Sequence, residues 1–499
     1  MPIDDLAPTT PVIIGVGFHQ EKLDDPTACA EPYQLMVEAV RTAARDAGSE
    51  ALVTSLESIT VPQGMWEYRN PGKLIADALG CPSARSILCG LGVLQLQLLS
   101  DLYDAIATGK RHIGVVVGGE AKYRQLRSTI TGQPVSDTKP DSTVPPDERQ
   151  TSTDMWCSDL ESRRGLTSPV EFFAIIESAL RYERGLDIAQ HRDELAALYS
   201  RFSAIAAENP HAWRRDAVKP ETIRNAAPRN AMLAFPYTKM HASQWNVNQA
   251  VALLVCSVER ARALGLDETN WIYPLSAAHS KHVVPMAQMR QLQSHRGAVL
   301  SSERALGLAG VGMEDVTAAE LYSCFPAAIQ SFARDLRVPS TIPWTVGGTM
   351  AFAGGPFNNA SLEGAARMVQ VLRGDAATRR VGLLSNLSGI FSKQACAVLS
   401  NVPNRQGYRC EDVTAQAAAE DPPVPLRDDY VGPATIVGYT VVFQGEQPSH
   451  AIAVCDTPDG TRTVVRSSRA PLLTALMEHE FVGRRIGVEA DGDFHVLES

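Results

Sequence analysis

The 499-residue chain lacks most of the features that assign a function quickly. Its nine cysteines form no CxxC pair and follow no metal-ligand spacing. That pattern excludes a disulfide scaffold and a zinc ribbon, and it reads as reduced thiols. There is no excess of basic residues: 46 Lys and Arg face 56 Asp and Glu, a net charge of −10. Nucleic acid and anionic membrane are therefore not expected as main partners. No apolar run approaches the roughly 20 residues of a membrane helix. The opening "MPIDDLAPTTPVIIGVG" lacks the basic and long apolar segments of a signal peptide, so the expected compartment is the cytoplasm. No GxGxxG follows a strand-like segment, and Ser, His and Asp fall in no hydrolase pattern.

A further lack is local. "AFAGGPFNNAS", residues 351–361, has the glycines and proline of a ligand-approaching loop. It contains no His, Cys, Asp or Glu.

What is present is a regular rhythm. With 44% hydrophobic and 20% charged residues the composition is that of an ordinary globular protein. The length exceeds one core and implies several domains. Strand-like segments at 11–17, 85–90 and 112–121 alternate with helical patterns at 33–48 and 91–110. Strand, helix and strand over 85–121 predict a βαβ unit with a buried parallel pair. Residues 123–165 are a polar excursion rich in Pro, Ser, Thr and Asp. Helical patterns follow at 168–185 and 189–207, and a second strand–helix series runs from "WIYPLSAAHS" to residue 401. Residues 403–433 read as a linker, with three prolines at 422–425. Residues 434–499 read as strands plus one helix, a small β-rich, barrel-like domain expected to separate cleanly.

Four strings, in order and at the right spacing, resemble the thiolase superfamily: "LCGLG…AIATGK…VVVGGEA", "ELYSCF", "FAGGPFNN" and "GIFSKQ". The resemblance covers about residues 8–402, and its nearest branch is the sterol-carrier-protein thiolases and their thiolase-like relatives. It implies an α/β fold of two βαβαβαββ halves carrying a loop domain. The first half would span 1–275, with the loop domain at about 122–235, and the second half 276–402. The appended domain at 434–499 is expected to resemble an oligonucleotide/oligosaccharide-binding barrel.

The resemblance also implies acyl-CoA chemistry, which needs a thiolate at a helix N-terminus, a second cysteine for proton transfer and an oxyanion hole. Motif by motif, the chain departs from it. The nucleophile's place falls on Gly92, with Cys89 three residues earlier as the alternative thiol. His-Asp-Cys-Phe becomes Tyr322-Ser323-Cys324-Phe325, leaving Tyr322 as a donor and Cys324 as a pocket or catalytic candidate. Gly-His-Pro becomes Gly354-Gly355-Pro356, so the imidazole is missing at Gly355. Asn358 and Asn359 either replace one hydrogen bond or cap the next helix, the cap being favoured. The second cysteine's place falls on Asn386 or Leu387. Lys239, His241 and Asn248 are candidates for the pocket mouth, although a lone loop histidine is more often structural than catalytic. Arg214, Arg215 and Lys219 are candidates for the CoA phosphates.

The expected reading is a protein that binds a CoA thioester or acyl ligand without ordinary thiolysis, with no tightly bound cofactor and no metal. An acyltransferase using Cys89 or Cys324, and a non-catalytic scaffold or partner subunit, remain open. The resemblance implies a homodimer, with a monomer equally open.

Overall fold

The computed structural model describes residues 6–139, 144–152, 156–374 and 378–497. Two sheets carry the architecture. The first has the order Pro11–Gln20, Asn248–Ser257, Ile113–Ala121, Ser58–Pro62, Arg85–Cys89, Glu148–Gln150. The second has the order Ala318–Glu320, Val381–Ser388, Lys393–Ser400, Tyr273–Ser280, Arg409–Asp412.

Four strands of the first sheet repeat in the second. Pro11–Gln20 corresponds to Tyr273–Ser280, and Asn248–Ser257 to Lys393–Ser400. Ile113–Ala121 corresponds to Val381–Ser388, and Ser58–Pro62 to Ala318–Glu320. In each sheet the first two pairings of this series are antiparallel and the third is parallel. Strand Arg85–Cys89 has no counterpart in the second sheet.

Helices Gln95–Ala107 and Ala360–Leu372 lie between the two sheets. Ile13, Leu99, Leu253, Leu362, Leu384 and Leu399 fill one continuous core around them. Helices Pro32–Asp46 and Arg296–Ala309 cover the outer faces. Sheets covered on both sides need apolar residues on both sides, which is why all nine residues of Ile113–Ala121 are buried.

The βαβ expectation is corrected in one respect. Arg85–Cys89 and Ile113–Ala121 are not neighbours, because Ser58–Pro62 pairs in parallel with both and lies between them. The central helix also starts later than its periodicity suggests. Gly92 has φ +90°, which ends the incoming turn before Gln95.

In the loop domain, helices Pro169–Glu183 and Ile188–Glu208 each open with a capping box, Ser168 with Glu171 and Asp187 with Gln190. The C-terminal domain is an antiparallel sheet in the order Arg462–Ser467, Gln447–Asp456, Gly432–Gln444, Arg485–Val488, Phe494–Val496. It curls until Arg466 N–H donates to the Gly492 carbonyl at 2.9 Å.

The described residues 434–497 do not stand apart as expected. Gly438 packs so closely on helix Pro169–Glu183 that a Cβ there would lie 2.9 Å from a side-chain carbon of Ile175. Arg181 of that helix, 1% exposed, pairs with Glu480 at 2.8 Å and donates to the Tyr439 hydroxyl at 2.9 Å. Strand Gly432–Gln444 also bridges to Ala234 of the loop domain. Within 403–433, Arg409–Asp412 extends the second sheet and Thr414–Glu420 is a helix, so part of that segment is built into the core half.

Candidate functional site

The two central helices bring their N-termini together, and side-chain amides join them. Gln95 Oε1 accepts from Ser361 N–H at 3.0 Å, capping the second-half helix from the first half. Asn386 Oδ1 accepts from Leu96 N–H at 3.3 Å, capping the first-half helix from the second. Asn386 Nδ2 donates to Ser361 Oγ at 2.8 Å, and Gln95 Nε2 donates to Asn358 Oδ1 at 2.9 Å. Asn358 Nδ2 reaches the Gln63 carbonyl at 3.2 Å. The helix termini that would lower a thiol's pKa are thus occupied by neutral groups. The favoured cap reading is corrected: Asn359 takes the N-cap position but makes no side-chain cap bond, and both of its polar atoms are buried without a partner. The cap comes from Gln95 instead.

A cavity of about 40 Å³ lies beside this network. Tyr322, Ser323 and Gly354 line it together with Glu320, His211, Glu363 and Arg367. The glycines of the 351–361 loop serve close packing. Gly354 has φ +115°, and a Cβ there would sit 2.0 Å from Gln249 Oε1. A Cβ at Gly355 would sit 3.1 Å from Ser243 Cβ. Gly355, Pro356, Asn358 and Asn386 line none of the cavities described here.

Gly92 lines a different cleft, of about 480 Å³, with Gln97, Asp101, Gln150, Lys281 and Lys393. The Lys393 ammonium bonds the Gly92 carbonyl and, at 2.8 Å, Ser152 Oγ. Burial pushes its pKa down to about 8.

The cysteines are placed poorly for nucleophilic attack. Cys89 is fully buried at its strand end with its thiol 3.4 Å from Gln150 Oε1, and burial drives its pKa well above the ordinary thiol value. Burial does the same to Cys324 and to the Tyr322 hydroxyl. The Cys324 carbonyl accepts from Ser243 N–H and Oγ–H, and Tyr322 N–H donates to Ser385 Oγ at 2.9 Å. Cys324 lines neither cavity, although Tyr322 two residues before it does.

His241 is buried and accepts from Thr238 N–H through Nδ1 at 3.1 Å, with its pKa pushed down to about 3 by burial. Asn248 is buried and accepts from Arg124 N–H, while Lys239 is exposed. Arg214 is paired with Asp216. Arg215 and Lys219 are exposed, and Arg215 is near enough to His211 to help depress its pKa.

Sequence reasoning missed Glu320, Glu363, Arg367 and His211. The available signal was charge inside apolar segments, as in "AAELY" and "SLEGAARM". Glu320 is held by Thr345 Oγ, Val346 N–H and Gly347 N–H, and burial raises its pKa to about 7. His211 stacks on Phe18 at 4.0 Å between ring centroids, and burial lowers its pKa to about 4.

No family model matches the chain. Over 165 residues, 33% of this chain, it is 26% identical to an acetyl-CoA acetyltransferase of Methanocaldococcus jannaschii, and the match spans 39% of that relative's length. Among solved structures, a monomeric SCP2-thiolase-like protein type 1 from Mycobacterium smegmatis superposes with a TM-score of 0.81. It is 24% identical, over 99% of this chain and 100% of that one. The Ltp2–ChsH2(DUF35) aldolase superposes at 0.59 with 17% identity, covering 79% of this chain and 98% of that one. Human mitochondrial 3-ketoacyl-CoA thiolase in complex with CoA superposes at 0.55 with 13% identity, covering 80% and 99%. With its duplicated sheets, paired central helices and appended β-rich domain, the chain has the thiolase-superfamily fold and resembles the SCP2-thiolase-like type 1 structure over its full length.

Proposed function

We propose that this chain binds a CoA thioester or related acyl ligand in front of Tyr322 and does not perform cysteine-dependent thiolysis or Claisen condensation. The observation that carries this reading is the reciprocal amide capping by Gln95 and Asn386, which takes up the helix termini where a thiolate would need stabilisation. The thiols of Cys89 and Cys324 are held protonated by burial, so an acyl-enzyme on either one is disfavoured. The remaining cavity accepts a small group only, and exposed Arg215, whose charge reaches His211, is a candidate cation for the CoA phosphates. Arg214 and Lys219 are secondary candidates for the same role. The ligand is freely exchanging, no tightly bound cofactor takes part, and the protein works in the cytoplasm.

The test is cleavage of acetoacetyl-CoA with free CoA by the purified protein, beside a binding titration with acetyl-CoA. Binding without cleavage supports the proposal. Turnover above about 1 per second, typical of enzymes in general, establishes the acyltransferase alternative instead. Neither binding nor cleavage leaves the scaffold reading.

A further inference from the structure

The cavity beside Tyr322 holds more hydrogen-bond donors than its packing uses. His211 Nε2 lies 3.2 Å from Gln370 Nε2. Gln370 Oε1 accepts from Arg367, which fixes the amide's orientation, so Gln370 donates and His211 Nε2 accepts. The imidazole is neutral, and its proton sits on Nδ1. Arg367 makes no ion pair within 4 Å among the described residues, and its buried Nε has no partner. Glu363, in the first turn of helix Ala360–Leu372, lines both this cavity and a smaller one shared with Phe18 and His211.

Resting on the acyl-ligand reading, we infer that the Glu363 carboxyl, which lines the cavity together with His211 and Tyr322, is the binding group for the ligand's carbonyl oxygen. A carboxyl can donate to a carbonyl only while protonated, and burial raises the Glu363 pKa well above the carboxylate range. The neighbouring charges are Glu320 from strand Ala318–Glu320, Arg367 one turn further along the same helix, and His211 from the loop after Ile188–Glu208. Above about pH 7, where Glu320 is ionised, a free carboxylate would face its charge and a neutral carbonyl would not. The cavity's size favours an acetyl-sized group. Neither Glu363 nor His211 belongs to any of the four strings that carry the family resemblance.

The sign of the pH effect follows. Preference for an acyl thioester over bare CoA is complete at low pH and falls as pH rises through the Glu363 pKa. The experiment is calorimetric titration with acetyl-CoA, CoA and acetate between about pH 5 and about pH 9. Acetyl-CoA is expected to bind about tenfold more tightly than CoA at the acid end, with acetate not competing above about pH 7, where Glu320 is ionised. That margin is expected to shrink with pH. Glu363→Gln, which keeps a donor and cannot ionise, holds the margin flat across the range. Glu363→Leu loses it, and Glu320→Gln leaves the pH response in place. A margin that does not change with pH in the unaltered protein overturns the inference. So does a Glu363→Leu protein, folded by circular dichroism, that keeps the margin, or a Glu320→Gln protein that loses the slope. Acetate competing as well as the thioester above about pH 7 identifies a carboxylate site instead and overturns it too. CoA binding with no acyl margin removes this inference alone, whereas no binding of any thioester removes the acyl-ligand reading beneath it.

Discussion

Asn386 stands where the resemblance would put a second cysteine, and its two amide atoms tie both central helices at once. Asn386→Ala leaves Leu96 N–H and Ser361 Oγ buried without that partner. The expected cost is about 1–3 kcal/mol, read as a lower denaturant midpoint at unchanged slope. Glu120 and Glu320 give the second residue-scale prediction. Burial raises both to about pKa 7, although Glu120 accepts from Met65 N–H and Glu320 from two backbone amides. A folded-state pKa above the unfolded value means the native state holds the proton longer. The favourable contribution is complete below about pH 4.5 and lost as pH rises through about 7. Stability should fall across that window, and Glu120→Gln or Glu320→Gln should each flatten the fall in pH-dependent unfolding.

Much of the element layout was legible in the sequence because period and punctuation agree. Pro32–Asp46 and Ile188–Glu208 lie within two residues of their expected spans. Strand neighbours were not legible: nothing local in "SITVP" says that it inserts between Arg85–Cys89 and Ile113–Ala121. The site was half legible. Missing residues such as the imidazole at Gly355 can be read from a string, but the reciprocal capping by Gln95 and Asn386 joins positions 290 residues apart. Likewise, the apolar faces of residues 434–499 do not disclose that helix Pro169–Glu183 covers one of them. From that cover comes the element-scale prediction. Residues 432–499 expressed alone should unfold without cooperativity, because Tyr439 and Gly438 lose helix Pro169–Glu183. In the full chain Arg181→Ala should cost about 2 kcal/mol by removing the buried guanidinium's bonds to Glu480 and the Tyr439 hydroxyl, while Glu480 keeps the Phe481 and Val482 N–H groups and the hydroxyl keeps the His479 carbonyl. A sharp two-state transition for the isolated fragment contradicts this.

At the scale of the molecule, the fold keeps the two-half frame and changes its edges. The strand Arg85–Cys89 is covered within the same chain by Glu148–Gln150, a three-residue strand too short to template a partner sheet. The protein is therefore expected to be a monomer, with light scattering giving about the 53.9 kDa of one chain and a dimer mass contradicting it. The frame brings the N-termini of both central helices to one place, where the Gln95 and Asn386 amides cap them and a cavity lined by Tyr322, Glu363 and His211 lies beside them. The central claim is acyl-ligand binding without cysteine chemistry. The most direct measurement is a calorimetric titration of the Cys89→Ser/Cys324→Ser protein with acetyl-CoA. The account predicts the same dissociation constant as the unaltered protein, tighter than about millimolar, a free energy beyond about −4 kcal/mol. Loss of binding in the double variant, or no binding tighter than about millimolar in either protein, would contradict it.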